Sequence, residues 1–152
     1  MARIRTVLRR WQSDEGAELI EFALVLPMLL LVVLGIAEFG FMFQRYEVIT
    51  NAAREGARIA VLPGYSTTDV ENRVKAYVTQ GRVPTTTTNP AVTVVSVDIP
   101  LPGGLVPINA RRVTVTYTHT YMFLPGIGAL FGATYGTVPL IAVAEMRTEV
   151  AN

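Results

Sequence analysis

The 152-residue chain contains no cysteine and a single histidine, His119. A disulfide framework is therefore excluded, as is a thiolate nucleophile, and one imidazole without thiolates does not make the usual zinc donor set. Charge is scarce too, at 16% Asp, Glu, Lys and Arg with a net charge of +1. Beyond the first few residues no basic face remains, so nucleic acid is not expected as a partner. The later part of the chain has no phosphate loop, nucleophile elbow or spaced pair of catalytic carboxylates. We therefore expect no enzymatic activity and no cofactor. No internal repeat is present, and the length suits one domain plus an anchor.

What the chain does have is a local concentration of apolar residues. Phe22 to Ala37 carries no charge, and only Glu38 interrupts continuation to Phe43. This run of 22 residues would rise roughly 33 Å as a helix, enough to cross a bilayer core. Arg3, Arg5, Arg9 and Arg10 crowd its N-terminal side. By the positive-inside rule that side stays cytoplasmic, and everything after Phe43 is exported. Glu38 follows Glu21 by 17 residues, about 26 Å of helix, which places it at the outer interface and not at the bilayer centre.

Between the basic leader and the apolar run lies Gly16-Ala17-Glu18-Leu19-Ile20-Glu21-Phe22. A secretory signal is cut after its apolar stretch and loses it. Here the small-residue candidate site comes first. Cutting between Gly16 and Ala17 removes a soluble leader, keeps the anchor, and makes Glu21 the fifth residue of the new chain. Alone, Glu21 reads as a helix-start carboxylate favoured by the macrodipole. With glycine before the cut and the apolar run behind it, the arrangement resembles that of a prepilin. A carboxylate drawn into lipid costs about 3 kcal/mol, which a neighbouring subunit's cationic Ala17 amine can offset.

The helical pattern continues past the span through Ile49, Ala52, Ala53, Gly56, Ala57 and Ala60, with Pro63-Gly64 as the stop. One helix, Ala17 to Leu62, is predicted. Ala52, Gly56 and Ala60 form two small-x-x-x-small steps; seating the domain's own strands is the first reading of this stripe, and an intersubunit contact is the second. Pro27 removes one helical hydrogen bond and is tolerable in lipid. A shorter helix is predicted from Asp69 to Gln80, capped by Thr68 and Glu71 and ended by Gly81, with Val70, Val74, Tyr77 and Val78 inward. Pro84 to Pro90 reads as a linker.

Three strands follow, at Ala91–Ile99, Arg112–Phe123 and Thr137–Val150, with Pro139 shortening or distorting the start of the last. In the middle strand Val113, Val115, Tyr117, His119 and Tyr121 share one face. His119 is expected to be a hydrogen-bonded packing residue. Met122 to Ala133 is apolar but too broken by glycine and proline to span a membrane, and reads as a loop. Packing on the sheet accounts for it; resting on lipid or a partner subunit is the alternative.

Several spaced motifs together resemble a known family. Gly16 to Phe22, then Ala23-Leu24-Val25-Leu26-Pro27, Gly35-Ile36-Ala37-Glu38-Phe39-Gly40 and Asn51-Ala52-Ala53-Arg54-Glu55-Gly56-Ala57-Arg58 are similar to the TadE-like pseudopilins of the tight adherence (Flp) pilus machinery, over about residues 15–60. Ala144-Glu145-Met146-Arg147 is similar to the family's last strand, whereas Glu18 departs from the apolar or small residue expected there. The resemblance implies a minor pilin-like protein supporting pilus assembly, held in the bacterial inner membrane. It implies cleavage by a prepilin peptidase at Gly16 and Ala17, with Glu21 and Phe22 as the recognised mature-side positions. Its implied partners are other pilin-like subunits, the assembly platform and membrane lipid.

The expected architecture is α+β: a leader at 1–16, a long N-terminal helix at 17–62 spanning the membrane at about 22–43, and an exported pilin-like domain at 63–152 with a short helix and about three antiparallel strands. The main alternative is an uncleaved bitopic protein presenting a small binding or sensory domain. A third is a soluble exported enzyme cut after Ala37. Their first residues would be Ala17, Met1 and Glu38 respectively.

Overall fold

In a computed structural model of the chain, residues 14–104, 107–130 and 132–148 are described. The element order is α1 (Asp14–Ala60), α2 (Thr67–Gln80), β1 (Ala91–Ile99), β2 (Ile108–Thr120), α3 (Leu124–Leu130) and β3 (Thr137–Arg147). The class is α+β, with a long apolar N-terminal helix, a short helix and three antiparallel strands in the order β1-β2-β3. The leader arginines lie outside the described residues, as does Val150. Two compact units emerge. One joins α1 through Phe39 to Met122–Tyr135, and the other comprises Gly40–Tyr121 and the chain from Gly136.

In the second unit, most of the residues predicted to face inward do so, and Leu140 and Ala142 of β3 join them. Ile49, Ala52, Ala53 and Ala57 of α1 meet Val70, Val74 and Val78 of α2, and Val113, Val115, Tyr117, Leu140 and Ala142 of the sheet, in one buried cluster. Tyr77 is only partly buried. The helices approach closely at Gly81, where a Cβ would lie 2.5 Å from Val48 Cγ1. A sheet covered on one face alternates inward and outward along each strand, and β2 does so from Val113 to His119.

The cap of α2 differs from the expected Thr68 and Glu71. Ser66 is the N-cap, in extended conformation; its hydroxyl accepts from the Asp69 N–H while the Asp69 carboxylate accepts from the Ser66 N–H. The serine, three residues before an acid, captures both donors first, so the helix starts at Thr67 and absorbs Thr68 into its first turn. At the other end Gly81 closes the helix: its N–H donates to the Tyr77 carbonyl, and the N–H of Arg82 donates to the Thr79 carbonyl. The Pro84–Pro90 linker is fastened by Asn89: its Nδ2 donates to the Thr118 carbonyl at 3.0 Å and its Oδ1 accepts from the Thr118 N–H at 2.9 Å.

The middle strand starts at Ile108, four residues earlier than expected, and ends at Thr120, not Phe123. Its end has a specific cause, because the N–H groups of Met122 and Phe123 are taken by a carboxylate and cannot join a ladder. The segment expected to be a plain loop contains α3, whose first turn includes Pro125 and Gly126. Pro139 neither shortens nor breaks β3, which begins at Thr137 and pairs Pro139 with Thr118. The Thr118 N–H and carbonyl are committed to Asn89, so the Thr118–Pro139 pair is one that exchanges no ladder bonds. The proline's missing donor therefore belongs to the open edge.

Candidate functional site

Candidate function is concentrated on α1. Gly16 and Ala17 lie in its first turn, and Ala17 and Glu21 are exposed on the helix surface. Phe22 is 60% exposed. The two positions of the predicted cut and the two mature-side positions thus form one short accessible stretch at the helix start. Behind them α1 is long and apolar enough to cross a membrane: an 18-residue window has a mean hydropathy of 2.7, and none of it is buried within the chain. Leu24, Val25, Met28, Leu29 and Val32 face outward. Exposed apolar area on this scale marks contact with lipid or a partner, since water solvates it poorly. The helix continues through Pro27.

The exception in this run is Glu38, which is 1% exposed. Its carboxylate accepts the Met122 N–H, at 2.8 and 2.9 Å to its two oxygens, and the Phe123 N–H at 2.7 Å to Oε2. A buried carboxylate is tolerated when its lone pairs are met by N–H donors. The arrangement fastens Met122–Tyr135 to the end of the apolar run. Sequence reasoning placed Glu38 along the helix but gave it no partner. The available signal was negative: no Asp, Glu, Lys or Arg occurs between Arg112 and Glu145, so a donor from this region had to be backbone or an uncharged side chain.

Past the span, Arg45 reaches β2. Its guanidinium lies 2.7 Å from His119 Nδ1 and donates to the Thr120 carbonyl at 3.4 Å. A guanidinium only donates, so Nδ1 accepts and the imidazole is neutral, with its proton on Nε2. His119 is wholly buried and meets Tyr121 edge-on, with centroids 5.4 Å apart. This is the packing role expected from its place among tyrosines.

The stripe of small residues is seated within its own domain. Ala52 is fully buried, Gly56 is buried and Ala60 is partly buried. A Cβ on Gly56 would meet Val74 Cγ2 at 2.6 Å and Val113 Cγ1 at 3.2 Å. Glu55, next to this seat, joins Arg58 of α1 to Arg73 of α2, both at 2.9 Å. Hydrogen bonds from these guanidiniums hold its carboxyl down at about 2.

Comparison with curated proteins and with solved structures found no match. The family comparison did, and it fell on the helix that carries the exposed apolar surface, Glu38 and the small-residue seat. Residues 16–58 match the family model described as TadE-like protein, so this stretch is similar to that family and consistent with the TadE-like pseudopilins.

Proposed function

We propose that the chain is a minor pilin-like membrane protein that supports assembly of a tight adherence pilus. The observation that carries this reading is the coincidence of the TadE-like match, residues 16–58, with one helix whose first half is exposed and apolar and whose second half seats a small domain. Such a chain is built to be held in a membrane while presenting a folded head. Its role is assembly, without catalysis.

In this reading a prepilin peptidase cuts between Gly16 and Ala17 on the cytoplasmic side of the inner membrane. Both residues sit in the first turn of α1, where end fraying makes unwinding inexpensive and glycine weakens the helix further. The released Ala17 amine then meets Glu21 of an adjacent pilin-like subunit, offsetting a cost of about 3 kcal/mol for a carboxylate in lipid. Subunit register follows from this pairing, and the mature protein works with the assembly platform.

The test is N-terminal sequencing of protein from the envelope of a host that makes these pili, for the natural chain and for Gly16→Leu. Ala17 is expected first in the natural chain, and Met1 is expected in the variant. Normal maturation of Gly16→Leu would refute the assigned cut, and Met1 on the natural protein would favour an uncleaved bitopic anchor.

A further inference from the structure

We infer that Met122–Leu130 is a second membrane contact, an interfacial wedge lying in the outer leaflet beside the span and held there by Glu38. The inference rests on α1 being embedded in a bilayer, but not on a pilus role. Three observations carry it. First, composition: the segment is uncharged, within a stretch that has no Asp, Glu, Lys or Arg from Val113 to Ala144. Met122 is 58% exposed, and Pro125, Gly126 and Ala129 are exposed as well.

Second, depth. Glu38 lies five residues before Phe43, the end of the apolar run, and so about 7.5 Å inside it along the helix. Interfacial segments bury their apolar faces by roughly 5–10 Å at the boundary of headgroups and acyl chains. The carboxylate that fastens the segment is therefore at the depth such a segment occupies. The segment and the lipid-facing part of α1 also belong to one compact unit.

Third, backbone hydrogen bonding. Lipid offers no partner to an exposed N–H, which is why irregular chain is rarely found against it. Here the N–H groups of Met122 and Phe123 go to Glu38, that of Ile127 to the Phe123 carbonyl, that of Gly132 to Ala129, and that of Ala133 to Gly128. Pro125 has none to satisfy. Tyr135 closes over Gly128, where a Cβ would lie 2.4 Å from the ring. The acid and the loop solve each other's problem: the Glu38 carboxylate accepts hydrogen bonds from donors that lipid would otherwise leave unmet.

The absence of cysteine makes the test direct. Single variants Met122→Cys and Ala129→Cys, with Leu30→Cys in the span and Thr93→Cys on the exposed sheet, are labelled with an environment-sensitive fluorophore in the full chain. The chains are then reconstituted in phosphatidylcholine–phosphatidylglycerol vesicles. At Met122→Cys and Ala129→Cys we expect blue-shifted emission, quenching by lipids spin-labelled near the headgroup, and protection from aqueous iodide. Adding Glu38→Ala should abolish the blue shift at Met122→Cys and leave Leu30→Cys unchanged. Iodide quenching at the wedge with a deep Leu30→Cys label would overturn the inference alone. Iodide quenching at Leu30→Cys would overturn the membrane reading itself. Protection from both quenchers would show a second protein copy as the cover and would also overturn it, while an unchanged blue shift in Glu38→Ala would remove Glu38 as the fastener.

Discussion

Replacing Gly56 with alanine separates the two uses of the small-residue stripe by the sign of its effect. A Cβ would stand 2.6 Å from Val74 Cγ2, 3.2 Å from Val113 Cγ1 and 3.5 Å from Val70 Cγ1. Carbon atoms prefer about 3.5–4.0 Å, so the first contact must open by about 1 Å. All three neighbours are buried valines, whose branched side chains resist rotation. Overpacking of this kind costs about 1–3 kcal/mol. Alanine's advantage over glycine in a helix returns about 1 kcal/mol. The net is destabilisation by about 1 kcal/mol, a fall of about 4 °C or more in Tm for a domain of this size. Gly40, on the same helix, has nothing within 4 Å of the point where an alanine methyl would stand, so Gly40→Ala should show the helix gain alone. Thermal unfolding of the full chain in detergent, followed by the near-ultraviolet circular dichroism of its aromatic residues, gives both values. Opposite signs are expected. An equal rise in both variants would show that the methyl fits and that Gly56 does not set the spacing of this core.

The Glu55 bridge should make stability depend on acid. Its carboxyl is depressed from 4.5 to about 2 when folded, so its contribution is complete above pH 4.5 and is lost as pH falls toward 2. The difference corresponds to roughly 3 kcal/mol at most. Arg58 and Arg73 are exposed guanidiniums, and screening there reduces it to about 1 kcal/mol. Glu55→Gln should flatten that part of a Tm-against-pH curve, and an unchanged slope would count against the bridge. Ser66→Ala should cost about 1 kcal/mol in thermal or urea unfolding, whereas Thr68→Ala should cost little; the reverse order would restore Thr68 as the cap.

Much of this was readable in advance because it is local. The apolar run, the spacing of Ile49, Ala52, Ala53 and Ala57, the valine stripe of α2 and the alternation of β2 each follow from a helix or strand repeat. What sequence reasoning missed depends on partners distant along the chain. Glu38 is fastened to groups 84 and 85 residues away, and that pairing decides both where β2 stops and how the apolar segment begins. The α2 cap was missed for a different reason: Ser66 and Thr68 each precede an acid by three residues, and the choice between them turns on which backbone is extended. The site positions Gly16, Ala17, Glu21 and Phe22 came from motif and resemblance. The structure shows them accessible.

Pro139 also bears on how the free margin of the sheet, along β3, meets another chain. Its ring nitrogen is turned to the outer side of β3, so an incoming chain that tried to extend the sheet there would find one donor missing and a ring in its way. Indiscriminate polymerisation through that margin is discouraged.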